Sequence, residues 1–143
     1  MKLYLTFALL LVFSFFTRAQ HTSSQTVTHE TLPEFPGGAQ QFYKYIGKNF
    51  KYPKSAVKAA YQGSVEVNFV IDNNGKIKVD SLDFGKMYFN KKNIDNTLEI
   101  KAKEETTAEL KRVFESSPAW KPAYKDGLPV WVHFKMVYNL YFE

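Results

Sequence analysis

Alternation of apolar and polar residues is the clearest signal in this chain. In residues 64–71, Val65, Val67, Phe69 and Ile71 point one way, while Ser64, Glu66 and Asn68 point the other. That two-residue period marks a strand with one buried face. Asp72-Asn73-Asn74-Gly75 follows as a turn, since Asn-Gly tolerates positive φ. Residues 76–84 begin as the return strand, with Ile77 and Val79 alternating against Lys76 and Lys78. The phase shifts at Ser81-Leu82, which predicts a bulge or the end of regular pairing. The longest alternation is the last. In residues 129–142, Val130, Val132, Phe134, Met136, Tyr138, Leu140 and Phe142 make one apolar face. Trp131, His133, Lys135, Asn139 and Tyr141 lie mostly on the other, and the pattern predicts one long strand.

Helical periods frame these strands. Phe42, Tyr45, Ile46 and Asn49 fall at i, i+3, i+4 and i+7, predicting a helix over residues 39–49. Pro53 opens a short second helix running to about residue 60, with Ala56, Val57 and Ala60 as its face. Gly63 ends the helical region. Leu110, Val113, Phe114 and Ser117 predict a third helix over residues 104–117, whose Glu104 and Glu105 suit its positive end. Residues 85–103, with Lys86, Lys91, Lys92, Lys101 and Lys103, read as a long basic loop with room for a short strand at 97–100. Residues 32–38 form a stiff, proline-bearing segment in which Leu32 and Phe35 are available for burial. The order helix, helix, strand, strand, helix, strand predicts an α+β domain. It is a small antiparallel sheet packed against helices on one face.

The N-terminus adds a second compartment to the picture. Lys2 precedes a nearly unbroken apolar run over residues 3–16, and Thr17-Arg18-Ala19 ends it with small residues at the first and third places. This order is that of a secretory signal peptide cut between Ala19 and Gln20. The run is short for a span of roughly 20 residues, and an uncleaved inner-membrane anchor is the alternative. Residues 20–31 are polar and aperiodic, a flexible arm, and residues 32–143 are the domain. The chain has no cysteine, so the exported domain must rest on its core. An aromatic share of 17% can fill that core. Without Lys2 and Arg18, 17 Lys and Arg stand against 14 Asp and Glu. The lysines are dispersed, which argues against nucleic acid as a partner.

No catalytic constellation emerges. His21, His29 and His133 make no metal-ligand spacing, and there is no cysteine nucleophile or Gly-x-Ser-x-Gly. Gly37-Gly38 lacks the Gly-Lys-Ser/Thr of a phosphate loop. Residues 72–75 place glycine too early for a calcium loop, and Asp80 and Asp83 would face opposite ways on a regular strand. The expectation is a binding module: no enzyme, no cofactor, no metal, no small-molecule substrate.

An ordered set of short motifs carries a family resemblance. It comprises Pro33-Glu34-Phe35-Pro36-Gly37-Gly38, Tyr52-Pro53 with Ala56, and Gly63-x-Val65-x-Val67-x-Phe69-x-Ile71-Asp72-x-x-Gly75-Lys76-Ile77. Trp120-Lys121-Pro122-Ala123, Asp126-Gly127-x-Pro129-Val130 and Asn139 complete it. Together they resemble the TonB C-terminal domain. The resemblance implies a periplasmic domain that grips an extended segment of an outer-membrane transporter, the TonB box, by adding it as a strand beside the last strand of the sheet. Three departures stand out. The N-terminal segment looks cleavable, and residues 17–33 reach at most roughly 60 Å in place of a long proline-rich spacer. Residues 85–103 are also longer and more basic than the usual connection. The first two weaken force transmission and leave peptide binding intact, so the chain reads as a stand-alone relative.

The expected contact surface is the last strand: Trp131, His133, Lys135, Val137, Asn139 and Tyr141. That strand looks longer than its partner, so its backbone groups would overhang. Lys135 is its only Lys, Arg, Asp or Glu between Trp131 and Asn139. An apolar, unguarded edge invites pairing. The expected partner is a TonB-dependent transporter or another periplasmic protein, with a homodimer through the same edge also open. The alternative function is a structural or wall-binding exported domain that self-associates through that edge. Trp120 reads as packing in a corner, and Pro36-Gly37-Gly38 as architecture. Met87-Tyr88-Phe89 is open between anchoring a partner and pinning the loop. Trp131 and Tyr141 are exposed contacts, or else lie under the basic loop.

Overall fold

A computed structural model describes residues 30–89 and 94–141. The expected leader, residues 20–29 of the arm, Lys91, Lys92 and Phe142 lie outside the described residues. In chain order the elements are α1 (Ala39–Asn49), α2 (Lys54–Ala59), β1 (Tyr61–Ile71), β2 (Ile77–Phe89), α3 (Asn96–Glu115), β3 (Ala123–Lys125), β4 (Leu128–Val130) and β5 (Val132–Leu140). β2, β1 and β5 form an antiparallel sheet in that order, and β3 pairs with β4 in a separate ribbon. The class is α+β, as predicted. No helix among the described residues is long and apolar enough to cross a membrane.

The sheet's inner face makes the core. Val65, Val67, Phe69 and Ile71 of β1 are buried with Phe42 and Ile46 of α1 and with Leu110, Val113 and Phe114 of α3. The Phe114 ring sits edge-on to both Phe42 and Phe69, at 5.4 Å from each. Phe69 faces Phe134 across the β1–β5 pairing, the rings stacked at 5.7 Å. At this spacing aromatic pairs add to what burial alone contributes.

The β1–β2 turn places the corner that follows α3. Gly75 has φ +75, and a Cβ there would stand 1.9 Å from the Trp120 carbonyl oxygen. Only glycine admits so close an approach. The Trp120 N–H then donates to the Gly75 carbonyl at 2.8 Å. This seats the Trp120 ring against Phe42 (4.9 Å) and Phe35 (5.5 Å), so its role is packing, as expected. Residues 31–34 strap this corner to the domain. Thr31 and Tyr124 exchange backbone bonds, as do Glu34 and Lys121.

Several expectations are corrected. Residues 85–103 are not a long loop. β2 runs through Phe89, and α3 begins at Asn96, eight residues before its predicted start. The Asp95 carboxylate caps that helix by accepting the Thr97 N–H at 3.3 Å, so no strand forms at 97–100. The early turns of α3 bury Ala102, which clusters with Ala56 and Ala59 of α2, and also Thr106. On α2 itself Val57 is exposed, and the inward positions are Ser55, Ala56 and Ala59. Leu32 is exposed while Pro33 and Phe35 turn in, as alternation in an extended strap requires. The last strand is not continuous. It breaks at Trp131, because residues 128–130 fold back on β3 through a hairpin with positive φ at Asp126 and Gly127. β5 therefore does not overhang β1; all nine of its residues pair. A register shift falls at Asp80, one residue before the phase change seen in the sequence.

Candidate functional site

In this sheet two strands have an open side, β2 and β5, and the two edges differ. β2 is interrupted by two register shifts and carries Lys78, Asp80 and Asp83. Its outward Val79 N–H is capped by the Glu115 carboxylate of α3 at 3.1 Å. Bulges, charges and capping are the usual protections of an edge. β5 pairs with β1 over nine consecutive residues without a shift.

The register fixes which β5 backbone groups face outward. Asp72 donates its N–H to Lys76 across the β1–β2 hairpin, so its backbone faces β2. Direction alternates along a strand, so Ile71, Phe69, Val67, Val65 and Gly63 of β1 face β5. The outward Val79 amide opposite Phe69 agrees with this assignment. Opposite those β1 residues stand Val132, Phe134, Met136, Tyr138 and Leu140, which spend their backbone bonds on β1. The N–H and C=O groups of His133, Lys135, Val137 and Asn139 therefore point away from the sheet. Among the described residues no hydrogen bond reaches these four amides.

The side chains of the same four residues lie on the outer face, and all are exposed. Lys135 does not guard the edge. Its ammonium lies 2.9 Å from the Glu66 carboxylate on β1, which draws the charge back over the sheet. That hydrogen bond holds the Glu66 carboxyl below the usual glutamate value, aided by a bond from Asn68. His133 Nδ1 likewise lies 3.5 Å from Asp80 on β2. Trp131 and Tyr141 flank β5 and are 61% and 62% exposed. They do not lie beneath the basic segment. Tyr88 on β2 is exposed and Met87 is partly buried against the core.

Beside this edge opens an apolar groove of about 400 Å³, reaching from the strap and the start of α1 to Phe134, Lys135 and Met136. Residues 48–81, spanning α2, β1 and the start of β2, match the family described as Gram-negative bacterial TonB protein C-terminal. The likeness to that family covers these 34 residues of the 143-residue chain. No curated protein and no solved structure matches the chain.

TonB C-terminal domains are periplasmic, non-catalytic modules that interact with outer-membrane TonB-dependent receptors. The six residues singled out from the sequence all fall on or beside β5 in this TonB-like sheet, four of them with outward backbone. Sequence reasoning missed the groove. Its wall draws on residues 33–35 and on α1, brought to β5 only by the fold. It also missed Glu115, whose capping of β2 makes the two edges unequal.

Proposed function

We propose that the protein is an exported TonB-like binding domain, with a leader over residues 1–19, a polar arm over 20–31 and the domain over 32–143. It captures an extended segment of a TonB-dependent transporter, or of another periplasmic protein, by β-augmentation at β5. The observation that carries this reading is the asymmetry of the edges. β2 is bulged, charged and capped, whereas β5 offers an unbroken row of unpaired groups at His133, Lys135, Val137 and Asn139. Main-chain bonds along such a row supply affinity, and side-chain pockets supply specificity. A second copy of the chain would compete for the same row.

Calorimetric titration of a TonB-box peptide into the protein and into a Val137→Pro variant tests the reading. Proline removes one outward donor and no bond to β1. Binding is expected in the parent and should weaken at least about tenfold in the variant, which loses a hydrogen bond and meets a ring at the contact. Absence of heat from several such peptides across the millimolar range would overturn the proposal.

A further inference from the structure

The inner face of β5 is unfinished. Val67 and Phe69 on β1 are 0% and 3% exposed, yet their cross-strand neighbours Met136 and Phe134 are only partly buried. No described strand continues those two rows beyond β5. Instead they end in the groove, walled by Pro33, Phe35, Phe42, Trp120, Phe134 and Met136. The strap, α1, the Trp120 corner and β5 all contribute to that wall, and it is held in place by a tight aromatic cluster. Phe35, Phe42 and Trp120 lie within 4.9–5.5 Å of one another, and Trp120 lies 6.2 Å from Phe134.

An added strand would lie about 4.8 Å beyond β5, with each of its residues on the same face as the residue opposite. The position opposite Phe134 or Met136 would then project into the groove, while its neighbours turn to the polar outer face. We propose that this groove is a specificity pocket for one large apolar or aromatic side chain of the captured segment, set opposite Phe134 or Met136. The inference rests on strand addition at β5. The groove is continuous with that edge, and Lys135, its one basic lining residue, is engaged by Glu66. A charged side chain would lose hydration against a largely apolar wall. The chain's own residues 20–29 do not supply the occupant class, since Val27 is their only aliphatic or aromatic residue.

The test uses heptapeptides of sequence Thr-Val-Thr-X-Thr-Val-Thr, blocked at both ends, with X as Phe, Leu, Ala or Lys. They are titrated by NMR into the isotope-labelled whole protein. The amides of His133, Lys135 and Val137 report the edge, and the Met136 methyl group reports the groove. Phe and Leu peptides are expected to bind at least about tenfold more tightly than Ala or Lys peptides, as burial of one large side chain supports. Only they should move the Met136 methyl strongly. Ala39 is exposed and lines the groove, so Ala39→Trp can block it without touching the core. That variant should reduce the preference to under about twofold while the Ala peptide still moves the edge amides. Edge shifts with equal affinity for every X would overturn the pocket and leave strand addition standing. A Met136 response with silent edge amides would overturn strand addition, and this inference with it. Silence of both reporters with every peptide would count against both.

Discussion

Phe69 and Phe134 face each other in one stacked pair, yet they do not stand in equal surroundings. Phe69 is 3% exposed between two strands and beneath Phe42 and Phe114. Phe134 is partly buried and borders the open groove. Truncating Phe69 to Ala should cost about 3–5 kcal/mol, the range for a filled aromatic site. Phe134→Ala should cost about 1–3 kcal/mol, because less apolar area leaves contact. Glu66→Ala on the outer face should have the smallest effect of the three. Urea midpoints of the three variants check the ranking. Glu109 gives a pH-dependent counterpart. Its carboxylate accepts from Arg112 at 2.7 and 2.8 Å and from the Lys51 N–H at 2.9 Å, and Arg112 also donates to the Asn49 carbonyl. The Arg112 bonds first, and then the Lys51 amide, hold its pKa below the ordinary 4.5. A carboxyl depressed in the folded state contributes stability above its unfolded value and loses it as pH falls through the folded one. Glu109→Gln should therefore destabilise by about 1–2 kcal/mol at pH 7. The gap should close in melts run at pH values progressively below 4.5.

At the scale of elements, the legible parts were those with one strong period. Alternation in β1 and β5 placed their inner faces correctly, and the Phe42–Ile46 stripe located α1 to the residue. α3 was half hidden because its early turns bury Ala102 against Ala56 and Ala59. Small residues on both sides let two helices approach closely, but they leave little hydrophobic signal in a lysine-rich stretch. The break at Trp131 was hidden for the opposite reason. Apolar alternation runs through β4 and β5 alike, although they pair with different partners. Strand direction can be probed with proline at adjacent positions of β5. Val137 turns its N–H outward, so Val137→Pro should cost under about 1 kcal/mol of stability. Met136 turns its N–H to β1, so Met136→Pro orphans a ladder acceptor and should cost at least about 2 kcal/mol more. Thermal melts of the pair decide it, and equal costs would show that the assignment of outward groups is wrong.

For the whole molecule, the last strand was legible as a strand and its place in the sheet was not. Sparse charge in residues 131–139 pointed to an unguarded edge. The stated reason, an overhang, was wrong, since β5 is fully paired. What makes it an edge is the strand order β2-β1-β5, which local pattern does not encode. The groove and the Glu115 cap likewise arise only when distant segments meet. Export belongs to this scale as well. Intact-mass measurement on the exported protein is expected to find Gln20 as the first residue, and a membrane-bound species retaining residues 1–19 would favour an anchored form. The central claim, strand addition at β5, makes an alternating signature that few other modes of binding share. Hydrogen exchange of the protein, alone and saturated with a TonB-box peptide, reads it directly. Phe134, Met136 and Tyr138 amides should be protected in both states. His133, Lys135, Val137 and Asn139 should exchange freely alone and slow by at least about tenfold in the complex, as new ladder bonds form. Unchanged exchange at those four amides in the complex, or new protection along β2 instead, would contradict the account.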